Sequence, residues 1–248
     1  MKKLLAITAL SAALFFGQTA AAEEKAAEEV KPSHVEMVLV LDESGSMSNL
    51  TNDTIGGFNS MIEKEKKLDV DAHVTTVLFN DQYKMLYNRR ELKDVRKMTD
   101  KDYTPGGMTA LLDAVGRTIH KMDMVSGIHR KDKGNKVLFV IITDGEENDS
   151  REYTYADVKK LIKDRQENAG WEFIFLGANI DAVAAAENLG IDGDRAVKYK
   201  NTGSGVRANF KAVAELSDSL AKSGRVSDEW KETVEKEEDD AVDKQSAA

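Results

Sequence analysis

An α/β fold built on a doubly wound, mostly parallel sheet with one antiparallel edge strand, Rossmann-like in plan, is predicted by three observations. Short runs rich in β-branched and apolar residues, at 35–41, 72–79, 137–142 and 171–176, alternate with segments of helical periodicity, the pattern of crossover connections between parallel strands. The run at 137–142, Val-Leu-Phe-Val-Ile-Ile, is apolar at every position, as a central strand covered on both faces requires. Between 72–79 and the next extended segment, 83–88, stands only the turn Asn80-Asp81-Gln82, too short for a crossover, so that segment returns antiparallel.

The chain opens with Lys2 and Lys3, an apolar core over residues 4–16 and a small-residue stretch closing on Ala20-Ala21-Ala22, the three parts of a secretory signal peptide with cleavage expected after Ala22. The apolar core is too short to span a bilayer, which takes about 20 residues. An exported protein, periplasmic or secreted and with no membrane insertion after signal removal, is therefore expected. Residues 23–33, rich in Glu, Ala and Lys, read as a flexible linker. The folded domain is expected over 34–223. After its first strand, Ile55, Phe58, Met61 and Ile62 recur at helical spacing up to Lys67. A loop over 99–108 is broken at Pro105-Gly106-Gly107, and Thr109 begins a helix with Leu112, Val115, Ile119 and Met122 facing inward. Residues 127–135 form a polar, basic loop. A helix over 155–168, the strand 171–176, a short helix capped by Asp181, a weak strand at 196–199 and a closing amphipathic helix over 206–220 complete the domain. Residues 224–248 read as an acidic, disordered tail.

Composition narrows the function. The formal net charge is −9, becoming −11 once the two leader lysines are removed, and the remaining lysines are interleaved with acids. No nucleic-acid partner is expected, because phosphate backbones demand a basic face. The absence of cysteine excludes disulfides, thiolate metal sites and Cys nucleophiles. The chain carries no Gly-x-Ser-x-Gly elbow, phosphate-binding glycine loop or Gly-x-Gly-x-x-Gly turn, so it is not expected to be an enzyme.

The chemistry concentrates at strand ends. The first strand stops at Asp42-Glu43-Ser44-Gly45-Ser46, with oxygen-bearing side chains at alternate positions, where open α/β sheets place their ligands. Thr109 follows Gly106-Gly107-Met108, and the most apolar strand stops at Thr143-Asp144-Gly145. Right-handed crossovers open consecutive strand ends onto one edge, so Asp42 and Asp144 can meet there. Each segment alone also reads as a capping turn, a Thr N-cap or an ordinary turn. Together, two carboxylates and three hydroxyls suit a hard divalent cation, Mg²⁺ first, with Mn²⁺ or Ca²⁺ as alternatives. Met47 and Met108 flank the set as a rim for a partner or as packing residues. Glu146, Glu147 and Asp149 follow Asp144 as added negative field or a solvated loop. His34, His73, His120 and His129 lack metal-ligand spacing and read as surface or strand residues.

The three segments resemble the metal-ion-dependent adhesion site of von Willebrand factor type A (vWA) domains: Asp42-Glu43-Ser44-Gly45-Ser46, Thr109 in Gly-Gly-Met-Thr-Ala-Leu, and Thr143-Asp144-Gly145. The stretch from Phe175 to Asp181 fits the strand and helix entry that follow in this family, and residues 151–182 resemble small bacterial members. The resemblance implies that Ser44, Ser46 and Thr109 ligate the ion directly, that Asp42 and Asp144 act largely through water, and that a Glu or Asp of a protein partner fills the remaining position. The implied function is an exported, metal-dependent adhesion-type module. The alternatives are an accessory or assembly factor of an envelope complex, or a hydrolase using metal-bound water, which lacks an evident general base.

Overall fold

The computed structural model describes residues 34–68, 71–125 and 135–236. Six strands among them, β1 (His34–Asp42), β2 (Ala72–Phe79), β3 (Tyr83–Glu91), β4 (Asn135–Thr143), β5 (Glu172–Gly177) and β6 (Ala196–Lys198), form one sheet in the order β3-β2-β1-β4-β5-β6. All neighbours are parallel except β2 and β3, joined by the predicted Asn80-Asp81-Gln82 turn. The reversal of direction between β1–β2 and β1–β4 makes the carboxyl end of β1 a topological switch point.

Strand periodicity divides β1 between two cores. Val35, Met37, Leu39 and Leu41 join Phe58, Met61 and Phe210 on the face covered by α1 (Thr51–Glu65) and α5 (Gly203–Ser223). Val38 and Val40 join Val115, Ile119, Val158 and Ala186 on the other face, under α2 (Leu111–Asp123), α3 (Tyr155–Asp164) and α4 (Ala182–Leu189). Full burial of each such side chain is worth about 1.5–3 kcal/mol, so register is held firmly: a one-residue slip would exchange the two cores. Among the described residues no helix is long and apolar enough to cross a membrane.

Several boundaries differ from expectation. Helix α2 starts at Leu111, leaving Thr109 in the loop, its N–H held by Asn148 Oδ1 at 2.8 Å. The helix expected over 155–168 ends at Asp164 and continues as a wider π turn, Arg165–Ala169, stopped by Gly170 in the left-handed region at φ 69°. Asp181 caps α4 as expected, accepting from Ala184 N–H at 3.1 Å.

The tail boundary at 224 is set too early. Residues 230–236 are helical, and Val226, Trp230 and Val234 are buried against the α1/α5 core. Trp230 and Val234, four apart, share one face of that helix, and charged neighbours mask it in a compositional reading. The leader at 1–22, the linker at 23–33, residues 127–134 of the basic loop and the tail from 237 lie outside the described residues.

The histidines are less scattered than their spacing implies. Register sets Glu36 beside His73 across the β1–β2 pair, and His34, two positions before Glu36, shares its face. His34 Nε2 and His73 Nδ1 stand 2.8 Å apart.

Candidate metal centre

Beyond β1 the chain turns through Glu43 and Ser44 into the 3₁₀ turn Gly45–Leu50, which brings three side chains onto the sheet edge. Both oxygens of Asp42 are engaged: Ser44 N–H donates to Oδ1 at 2.7 Å and Thr143 Oγ1 to Oδ2 at 2.6 Å. Ser44 Oγ and Ser46 Oγ lie 3.0 Å apart, and Ser46 Oγ donates to Asp144 Oδ1 at 2.5 Å. The structure thus brings Asp42, Ser44, Ser46 and Asp144 into one connected cluster. Thr109 comes near this cluster on the Gly145 side, where a Cβ added to Gly145 would stand 4.0 Å from Thr109 Oγ1.

The loop carrying Thr109 is stitched to the same edge. Gly45 N–H donates to Gly107 O at 3.2 Å, Gly106 N–H to Glu43 O at 2.9 Å, and Asn80 Nδ2 to Gly106 O at 2.8 Å. Gly107 adopts φ 76°, a conformation that favours glycine, and a Cβ there would meet Asp81 Oδ1 at 2.0 Å, so that the Asp81 side chain would have to move. Glu43 turns away from the cluster and takes Thr104 N–H at 2.5 Å and Lys84 Nζ at 3.3 Å. Tyr103 Oη donates to Asp42 O at 2.6 Å from below.

The electrostatics are one-sided. Asp42 and Asp144 are buried, and among the described residues neither forms a salt bridge; their partners are hydroxyl, amide and backbone donors. Burial pushes the Asp42 carboxyl above its ordinary value, outweighing the bonds from Ser44 and Thr143, and the charge of Asp144 adds to the rise. The Tyr199 phenol is raised well above its ordinary value, by burial first and then by the charges of Asp144 and Asp42. The donors are all oxygen, two carboxylates lie together, and the countercharge is missing. A hard divalent cation fits that set.

Sequence reasoning missed several contributors. Asn179 Nδ2 donates to Asp144 O at 3.2 Å and Asn201 Nδ2 to Asp144 Oδ2 at 3.3 Å. Both follow the carboxyl ends of β5 and β6, so the strand-end rule that found Asp42 applies to them as well. The flanking methionines differ: Met47 is core, at 2% exposure, whereas Met108 is 51% exposed at the rim. Glu147 is tied into its own loop and the start of α2. Its carboxylate accepts from Leu112 N–H at 3.0 Å at the start of α2 and from Ser150 N–H at 2.7 Å.

This sheet order and helix arrangement define a vWA domain. A family profile described as the vWA domain found in the TerF carboxyl terminus matches residues 34–197, and the chain belongs to that vWA-TerF-like family. Among solved structures it resembles proximal thread matrix protein 1 of mussel byssus, at 15% identity and TM-score 0.54, covering 75% of this chain and 46% of that one. It also resembles the PilB minor pilin of Streptococcus sanguinis, at 12% identity and TM-score 0.55, covering 74% and 61%. A third is the vWF domain of the type V pili tip protein Mfa5 from Porphyromonas gingivalis, at 13% identity and TM-score 0.53, covering 80% and 99%. At these identities the likeness is one of fold. The chain spans less than half of the mussel protein and under two thirds of PilB. Comparison with curated protein sequences returned no match.

Proposed function

We propose that this protein is an exported adhesion-type module that grips an acidic side chain of a protein partner through a divalent cation, Mg²⁺ first. Ser44, Ser46 and Thr109 would hold the ion directly, with Asp42 and Asp144 behind them. The observation that carries the reading is the pair of buried carboxylates, Asp42 and Asp144, linked through Ser44 and Ser46 and without a salt-bridge partner among the described residues. When bound, the ion supplies a Lewis-acidic contact for one outside carboxylate. The chain's own residues hold the edge rigid: Thr143 and Ser44 fix the Asp42 carboxylate, Asn201 fixes Asp144, and Gly106 and Gly107 tie the Thr109 loop to Glu43 and Gly45. Beside Gly145 lies a cleft of about 260 Å³ whose lining mixes apolar Leu111, Tyr155 and Ile180 with the acids Glu146, Glu147 and Asp181. The exported setting rests on the leader-like residues 1–22 and accords with two pilus components of this fold, the Mfa5 tip protein and the PilB minor pilin.

Added Mg²⁺ or Mn²⁺ should raise the melting temperature by mass action, and Asp42→Ala should abolish that rise while leaving a folded chain. A folded protein whose melting is indifferent to both cations and to EDTA would sink the metal reading. Recovery of partners with Mg²⁺ and with EDTA separates adhesion to an outside surface from service to an envelope complex, by what is recovered.

A further inference from the structure

The opposite edge of the sheet carries a second cluster of different chemistry. His34 Nε2, Glu36 Oε1 and His73 Nδ1 converge, with His34 Nε2 at 2.8 Å from each of the other two and those two 3.3 Å apart. From these three atoms we infer a second metal site, a His₂Glu centre for a divalent transition ion of the zinc class, clipping the amino ends of β1 and β2.

Four observations carry it. The donor set is two imidazoles and one carboxylate, which suits zinc and its neighbours rather than Mg²⁺. A tetrahedral ion with bonds of about 2.0 Å sets its donors about 3.3 Å apart, and each side of this triangle lies within roughly 0.5 Å of that value. Outer partners are in place. Asp71 Oδ2 stands 3.2 Å from His34 Nδ1, the carboxylate–histidine arrangement that aims the other ring nitrogen at a metal, and Arg89 Nε donates to Glu36 Oε2 at 3.1 Å. The cluster is also reachable, since the His34 and His73 side chains keep 13% and 25% of their exposure.

Arg89 already brings a positive charge to the cluster. Its Nη2 lies 2.5 Å from Glu36 Oε1 and 3.1 Å from His73 Nδ1, a resident cation beside the three donors. It reaches there from a backbone at φ 45°, where the β2–β3 register shifts, and such irregularities re-aim side chains next to sites. An arriving ion takes Oε1, His34 Nε2 and His73 Nδ1, with a water or outside ligand as its fourth donor. Arg89 withdraws to Oε2. His34 and Asp42 lie eight residue steps apart along β1, so this site lies about 26 Å from the adhesion edge.

The test uses the chain from Glu23 onward with Zn²⁺ followed by calorimetry and Co²⁺ by absorption. One Co²⁺ should give the intense visible bands of tetrahedral coordination, and these should persist in Asp42→Ala, or in Ser44→Ala with Ser46→Ala should Asp42→Ala misfold. His73→Gln should weaken Zn²⁺ by more than the roughly 10–100-fold that loss of an outer partner costs, with the Mg²⁺ response unchanged. His34→Gln should do the same, and serves if His73→Gln fails to fold. Weak octahedral Co²⁺ bands alone, tetrahedral bands that survive both histidine variants, or bands that vanish with the Asp42 change would each overturn the site. Loss of the Mg²⁺ response with the Zn²⁺ site intact would count against the proposed function and leave this inference standing.

Discussion

The two ends of β1 hold acidic side chains at similar depth in opposite electrostatic settings. At the amino end, burial would raise the Glu36 carboxyl, but hydrogen bonds from His34 and Arg89 bring it down to about 2. At the carboxyl end burial wins, and Asp42 is raised beside a second carboxylate. One end carries its own cation in Arg89, and the other gathers oxygen donors with no basic side chain paired to them among the described residues. Burial alone therefore does not set what a strand-end carboxylate does; the sign of its neighbours does. The contrast also separates the ions expected at each end, a hard cation among oxygens against a borderline one among imidazoles.

The sharpest way to break the contrast is Glu36→Gln. It strands Arg89 and His34 without their carboxylate, and unpairing a buried charge costs about 3–5 kcal/mol, with the low end expected because Arg89 is partly exposed. Urea unfolding in EDTA at pH 7 measures it. Equal stability of Glu36→Gln and the native chain would show that the pair is not a structural element. The acid limb of the native profile should agree: a depressed carboxyl gives stability above about pH 4.5 that is lost as pH falls toward 2.

Asp42→Asn should act in the other direction. Without metal it relieves a buried carboxylate that has no countercharge, so metal-free stability should hold or rise. With Mg²⁺ at a hundred times its dissociation constant it should forfeit about 2.7 kcal/mol of ligand stabilisation. Paired melts with Mg²⁺ and EDTA read both effects, and a destabilised Asp42→Asn in EDTA would contradict the contrast.

Glu65 sharpens it from a third position. This last residue of α1 is buried against α5 with Ser217 Oγ donating to it at 2.7 Å, and burial raises its carboxyl to about 7. Its folded value lies above the unfolded one, so its contribution is complete below about pH 4.5 and is lost as pH rises through 7. Glu65→Gln should flatten that limb and stabilise the chain at pH 8 by about 2 kcal/mol. Chemical denaturation of both proteins at pH 5 and pH 8 checks it. The smallest effect is expected from Gly107→Ala, which strains the loop that presents Thr109. It should cost about 1 kcal/mol in EDTA and somewhat more with Mg²⁺, a difference visible in paired melts.

Asp42, Ser44 and Ser46 were legible because they stand at alternate positions where a strand ends, and Thr109 and Asp144 because adjoining glycines mark turns there. Asn179 and Asn201 were open to the same strand-end reasoning, but no local pattern drew attention to them. Thr143 and Tyr103 act on Asp42 from sequence distances of 101 and 61 residues; the Thr143-Asp144-Gly145 strand end marks the first, but nothing local marks Tyr103. The His34–Glu36–His73–Arg89 cluster was not legible at all. Its members lie on three strands, and only the β1–β2 register with the irregular β2–β3 pairing makes them neighbours.

By itself the sequence determined the strands, the order of strand and helix and the family resemblance, because hydrophobic periodicity and turn chemistry are local properties. Tertiary structure alone decided where charge is left unbalanced. It set Asp42 against Asp144 without a cation, gave Glu36 the guanidinium of Arg89, and folded Trp230 back onto the core out of a charged stretch. Those outcomes depend on which distant residues share a few ångströms, and electrostatic and packing energies are set at that range.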